Sequence, residues 1–265
     1  MIAGKELAVD FQHITFEKRD GIARLTLNEP PLNVLNIAMM REINAALEGL
    51  GEDPAAKVLV IEAAEGSKAF SAGVDVSEHT ADKVGEMIEV FHRIFRLLDT
   101  LEVPTVAVVE RAALGGGCEL AMFCDMVIAS ERASFGQPEI QVGVFPPIAA
   151  VALPGIVGPK KALEMVLLGD RISAADAERM GLVNNVVAPD ELRTAADEFV
   201  GKLASLSSAV VRLTKRAVRV GSVGSFADGL AAVEDLYLGP LMSTEDAHEG
   251  LAAFMEKRSP VWKDS

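Results

Sequence analysis

Three short apolar runs constrain this chain more than any other feature: "KVLVIEA" (57–63), "PTVAVVE" (104–110) and "DMVIAS" (125–130). Each is too short for a globular helix and reads as a buried strand. Helical spacing lies before and between them. Ile37, Met40, Ile43, Leu47 and Leu50 share one helical face, as do Val84, Met87, Ile88, Phe91, Phe95 and Leu98. Strands alternating with amphipathic helices at this pitch predict an α/β fold with parallel strands. A hairpin is expected ahead of them, from residues 11–17 and 22–27 around Asp20-Gly21. From about Lys160 the strand signal thins. Helices dominate to the end, with capping signals at Ser173, Asp190 and Ser243.

The chain has 265 residues, long for a single compact core. Residues 1–200 are therefore expected to form the core that holds the site, and 201–265 a helical appendage. The net charge of −14 supplies no basic footprint and argues against a nucleic-acid partner. An anionic ligand would need a local patch or backbone N–H groups. Cys118 and Cys124 are six apart among apolar neighbours, a spacing that fits no usual zinc pattern. They read as buried free thiols in a reducing cytoplasm. The N-terminal "MIAGKELAVDFQH" lacks the apolar core of a signal peptide. The uncharged run from Gln141 to Pro159 carries prolines and glycines, which argue against a membrane span. It reads as a buried loop and helix beside a ligand pocket.

Three stretches carry chemistry. In "LGGGCELA" (114–121), three glycines follow a strand and open a helix bearing Glu119. A helix N-terminus offers unpaired N–H groups, and glycine lets a ligand approach them. The run lacks the GK[ST] ending of a P-loop and the spacing of a dinucleotide fingerprint. It serves either tight helix–strand packing or an anion site. "AFSAGVD" (69–75) is either an ordinary turn or a second source of an N–H, and two such donors would make an oxyanion hole. "FGQPEIQVGVF" (135–145) carries Glu139, either a turn residue after Pro138 or the partner of Glu119 in acid–base work.

Together and in this order, "AFSAGVD", "LGGGCELA" and "FGQPEI" resemble the crotonase (enoyl-CoA hydratase/isomerase) superfamily. The resemblance extends from "LNVLN" (32–36) to "EGLAAFMEKR" (249–258). It implies a spiral of ββα turns with a helical C-terminal region that forms trimers or stacked pairs of trimers. It also implies a hydro-lyase acting on an unsaturated acyl-CoA, with coenzyme A arriving as part of the substrate and no metal or other cofactor. By that resemblance the N–H groups of Val74 and Gly116 polarise the thioester carbonyl, while Glu119 and Glu139 handle water and the α-carbon proton. Ala72 and Asp75 lie where the family receives coenzyme A. Phe254 and Lys257 match positions that reach it, often from a neighbouring subunit; the alternative for Lys257 is a solvated lysine on a terminal helix.

Two departures stand out. "GVFPPIAAVALPG" (143–155) replaces a glycine-rich stretch, and Phe145 to Ile148 should make the acyl pocket apolar and rigid. The loop "NEPPLN" (28–33) lacks the basic residue often found after its proline. "FGQPEIQVGVFPP", "VDVSEHTADK" and the tail "DLYLGPLMSTEDAHEGLAAFMEKR" are similar to the cyclohexa-1,5-diene-1-carbonyl-CoA hydratase branch, of anaerobic aromatic degradation. The rival expectations are a straight-chain enoyl-CoA hydratase of fatty-acid degradation, a double-bond isomerase with one dominant glutamate, and a non-catalytic binder of the same fold.

Overall fold

The computed structural model describes residues 11–265. The reading of the N-terminus as free of a targeting signal falls largely on residues 1–10, outside the described residues. Strands β1 (Ile14–Arg19) and β2 (Ile22–Leu27) form the expected hairpin. Asp20 and Gly21 both have positive φ, at 52° and 79°, the geometry of a tight Asp-Gly hairpin turn. The first strand starts three residues later than predicted.

Helix α1 (Ile37–Gly51) follows, capped by the Asn36 side chain, which accepts from the Met39 N–H. Strand β3 (Val58–Ala63) is the first of the three apolar runs. It lies parallel to both β2 and β5 (Thr105–Val109), and its first four residues are buried. A strand covered on both faces needs no polar alternation. With β7 (Met126–Ser130) and β10 (Asn185–Val187) these strands form a six-stranded sheet in the order β1-β2-β3-β5-β7-β10. Helix α2 (Val84–Thr100) packs on α1 and buries Met87, Phe91, Ile94, Phe95 and Leu98.

A second sheet positions the site. Strands β4 (Ala69–Ser71), β6 (Ala112–Leu114) and β8 (Ser134–Gly136) are parallel neighbours, and β9 (Ile172–Ser173) pairs antiparallel to β8. Parallel neighbours leave a sheet by the same edge. The segments after these three strands are 72–75, Gly115–Glu119 and Gln137–Glu139, so the topology gathers all three sequence motifs at one edge, where open α/β sheets bind ligands.

Helix α3 (Gly116–Phe123) carries Glu119 and sits against the end of β4. A Cβ on Gly117 would lie 2.6 Å from the Ser71 carbonyl oxygen and 2.6 Å from its Cβ. Only glycine allows that approach. Gly117→Ala is expected to lower the melting temperature sharply or prevent folding. In the same assay Gly49→Ala, exposed in α1 with nothing within 4 Å, gains about 0.5–1 kcal/mol.

Helix α4 (Pro147–Leu168) is two helical stretches joined at Gly158, whose φ is 78°. Contrary to the sequence expectation this region is not uniformly buried: Val142, Phe145 and Val151 are 63%, 68% and 83% exposed. Among the described residues no helix is long and apolar enough to cross a membrane.

The chain then becomes helical: α5 (Ala174–Arg179), α6 (Leu192–Ala204), α7 (Ser208–Gly221), α8 (Phe226–Leu236) and α9 (Glu245–Glu256). Ser173 caps α5 as predicted. The other two capping assignments shift by one residue. Glu191 rather than Asp190 occupies the N-cap of α6, without a side-chain bond. Thr244 rather than Ser243 caps α9, accepting from the Ala247 N–H. Helices α7, α8 and α9 pack mainly on one another. They are tied to the core by polar contacts such as Lys215–Asp125 and by the C-terminal tail, where Asp264 pairs with Lys57.

Candidate active site

The segment after β4 is held from behind. Leu35 donates to the Gly73 carbonyl at 2.9 Å and accepts from the Asp75 N–H at 3.1 Å. This bridge uses the groups on either side of Val74 and leaves the Val74 N–H facing away from Leu35. Gly73 has φ of 101°, and a Cβ there would lie 3.0 Å from the Leu114 carbonyl oxygen and 3.4 Å from the Gly116 nitrogen. The two glycine-containing turns are therefore in contact. Gly116 is the first residue of α3, so its N–H has no partner within the helix. Among the described residues neither the Val74 nor the Gly116 N–H has an acceptor.

The two glutamates meet at the same place. Gly115 has φ of 53°, and a Cβ on it would lie 2.6 Å from Glu139 Oε1. The Glu139 carboxylate thus rests against the residue before the Gly116 N–H, while Glu119 stands one turn further along α3. Glu119 is 2% exposed and its Oε1 accepts from the Ala149 N–H at 2.8 Å.

Burial pushes the Glu119 carboxyl up to about 8; the Ala149 and Ile148 N–H groups oppose the shift and the charge of Glu139 adds to it. Burial also raises Glu139, whose Oε2 has no hydrogen-bond partner among the described residues. Both carboxyls are thus held above the ordinary carboxylate range, the buried Glu119 and the half-buried Glu139 alike.

The remaining predicted residues are less concentrated. Ala72 donates its N–H to the Leu32 carbonyl at 2.9 Å, and the Asp75 side chain accepts from the Ser77 N–H at 2.8 Å, opening a short 3-10 turn. Both flank Val74. Phe145 lies on the chain joining Glu139 to α4. Phe254 and Lys257 lie on α9 and at its C-cap, and α9 packs against α7 rather than α3. Phe254 is 84% exposed.

Sequence reasoning missed three contributors. The buried Asn33 side chain donates to the carbonyls of Ala69 and Phe70, both at 3.1 Å, and fastens the "NEPPLN" loop to β4. The buried Gln137 side chain has no partner among the described residues. The Ile148 and Ala149 N–H groups hold Glu119. The second asparagine-bearing loop motif, "LNVLN", was a usable signal for Asn33; backbone donors carry no residue-type signal. Cys118 and Cys124 are free and buried, and burial pushes both thiols up to about 12, which makes them inert.

Residues 17–265 match the enoyl-CoA hydratase/isomerase family. A crotonyl-CoA hydratase of Syntrophomonas wolfei is 38% identical over 253 residues, covering 94% of this chain and 96% of that protein. A probable enoyl-CoA hydratase of Rhizobium meliloti is 40% identical over 258 residues, covering 96% and 99%. The crystal structure of an enoyl-CoA hydratase from Bacillus anthracis superposes with a TM-score of 0.91 at 32% identity, covering 96% of this chain and all of that one.

Proposed function

The chain belongs to the enoyl-CoA hydratase/isomerase family, and from that premise we propose that it is a hydro-lyase adding water across the C=C bond of an unsaturated acyl-CoA. The observation that carries this reading is the glutamate pair, Glu119 buried and Glu139 half-buried, set against two unpartnered N–H groups at one sheet edge. In this reading the Val74 and Gly116 N–H groups bind the thioester oxygen. Attack at the β-carbon moves negative charge onto that oxygen, so these donors bind the transition state more tightly than the substrate. One carboxylate takes a proton from the attacking water. The other, protonated, delivers one to the α-carbon. The step requires one protonated and one ionised carboxyl, and it leaves the pair with one proton still bound, now on the other glutamate.

The sign of the pH dependence follows. Both carboxyls are raised, and Glu119 loses its proton as pH passes about 8. The rate at saturating substrate is therefore expected to fall above that pH, and to fall again in acid once both groups are protonated. A stopped-time assay across pH 5–10 checks it; a rate still rising at pH 9 contradicts it.

For the acyl group we infer cyclohexa-1,5-diene-1-carbonyl-CoA, supported by the Phe145–Ile148 stretch, whose two prolines stiffen the chain between Glu139 and α4. A straight-chain enoyl-CoA is the second reading, favoured by the similarity to a protein named crotonyl-CoA hydratase. The ratio of kcat/KM for the ring substrate and crotonyl-CoA decides between them. A ratio well above one supports the ring, and the reverse assigns a straight chain. Coenzyme A enters only as part of the substrate, near Ala72 and Asp75. The C-terminal helices join copies into trimers, with Phe254 and Lys257 presented to a neighbour's coenzyme A, in the cytoplasm.

A further inference from the structure

Helix α4 begins unusually. Its N-cap is Pro146, its first residue is Pro147, and it has no side-chain cap from its own segment. Neither proline has an N–H. The Ala150 N–H is satisfied by the Pro146 carbonyl at 3.0 Å. Of the N–H groups that a helix start leaves unpaired, this one retains two, on Ile148 and Ala149. The Ala149 N–H donates to Glu119 Oε1 on α3 at 2.8 Å, and the Ile148 N–H lies beside the same carboxyl.

The other end of the same short segment is tied to the other glutamate. The 3-10 turn Pro138–Val142 carries Glu139 and ends at Gly143, which has left-handed backbone. The Val144 N–H then donates to the Glu139 backbone carbonyl at 3.2 Å. Residues Val144 to Pro147 are thus suspended between Glu139 behind and Glu119 ahead. Phe145 is largely exposed, whereas Pro146 is buried and Pro147 half-buried. The stretch is therefore held at its two ends and by the packing of its prolines.

We propose that Glu119 is also a positioning residue: its carboxyl group is the N-terminal cap of α4 supplied from α3, and through that cap it fixes the Val144–Pro147 wall that selects the acyl group. The selection half rests on the function proposed above; the capping half does not. Capping from another element replaces what a serine or aspartate at the N-cap would ordinarily do. It also couples two requirements, because the side chain assigned to the chemistry sets the distance between the chemistry and the wall.

The test compares Glu119→Gln with Glu119→Ala. Glutamine keeps a carbonyl oxygen that can accept both N–H groups; alanine keeps nothing. Hydrogen exchange is read at Ile148 and Ala149, and binding is read with two unreactive thioesters, butyryl-CoA and cyclohexanecarbonyl-CoA. A hydrogen bond to a charged or amide acceptor at this site corresponds to roughly tenfold to a hundredfold in opening. The expected result is exchange faster by that factor in the alanine variant than in the glutamine variant, with the preference between the two thioesters kept by glutamine and lost by alanine. Equal protection in the two variants overturns the cap. Unequal protection with an unchanged preference overturns the selection half. If the alanine variant does not fold, Glu119→Asp, which withdraws the carboxylate by one methylene, is compared in its place. Failure of wild-type protein to bind either thioester, with the exchange contrast intact, removes the proposed function and the selection half and retains the cap.

Discussion

Glu119→Gln is expected to be nearly inactive and, at alkaline pH, more stable than the wild type. The two effects share one cause. Burial holds the Glu119 carboxyl at about 8, well above its ordinary value of 4.5. A group raised on folding contributes stability at low pH, and that contribution is lost as pH rises through the folded value. Above it the folded protein must carry a buried negative charge. Glutamine has nearly the same shape, accepts the same N–H groups and never ionises. The variant and wild type should therefore melt together near pH 5 and diverge through pH 8. The gain is up to roughly 4–5 kcal/mol past pH 9. The activity cost is set by the loss of one member of an acid–base pair, about 10²–10⁴ in kcat. Thermal melts at pH 5, 7 and 9 with parallel assays check both. A stability difference that does not grow with pH contradicts the burial account. A non-catalytic binder of this fold would show the stability change with binding intact and no activity to lose.

Removing the Gly116 N–H is expected to cost about 10²–10³ in kcat. Proline is the substitution that does this, because the first residue of a helix is where proline is accommodated. It also brings atoms where glycine had none. A Cβ at position 116 would lie 2.8 Å from Val74 Cγ2 and 2.9 Å from Phe91 Cζ. Both are ends of side chains, but the crowding is real and would disturb Val74 itself. Gly116→Ala meets the same crowding and keeps the N–H. The ratio of the two variants isolates the donor. A ratio near one would mean that the α3 start packs against the core and takes no part in the chemistry, the packing alternative left open by the glycines alone.

The strands were legible because continuous apolar runs with β-branched residues have few other uses. The hairpin was legible because Asp20-Gly21 needs left-handed backbone. The three site motifs were legible individually, but their meeting was not. That depends on β4, β6 and β8 being parallel neighbours, a fact of topology that three-residue strands do not announce. The capping errors were small: at Asp190 and Ser243 a good capping residue sits one position before the residue the helix uses. The larger miss was the run from Gln141 to Pro159. Its apolarity states what the side chains prefer and not what lies beside them, and within this chain much of it is exposed. The anchor of Glu119 was invisible for a different reason. Its donors are backbone groups of Ile148 and Ala149, and only the absence of N–H on the two preceding prolines singles them out.

The central claim is that Glu119 and Glu139 act as one unit on an enoyl-CoA. The most direct measurement is kcat for crotonyl-CoA hydration by wild type, Glu119→Gln, Glu139→Gln and the double variant, because crotonyl-CoA suits either reading of the acyl pocket. The expected result is a loss of about 10²–10⁴ in each single variant, with the double variant no worse than the weaker single one, since residues acting as a unit are not additive. A single variant within a few-fold of wild type, or losses that multiply in the double variant, would contradict it.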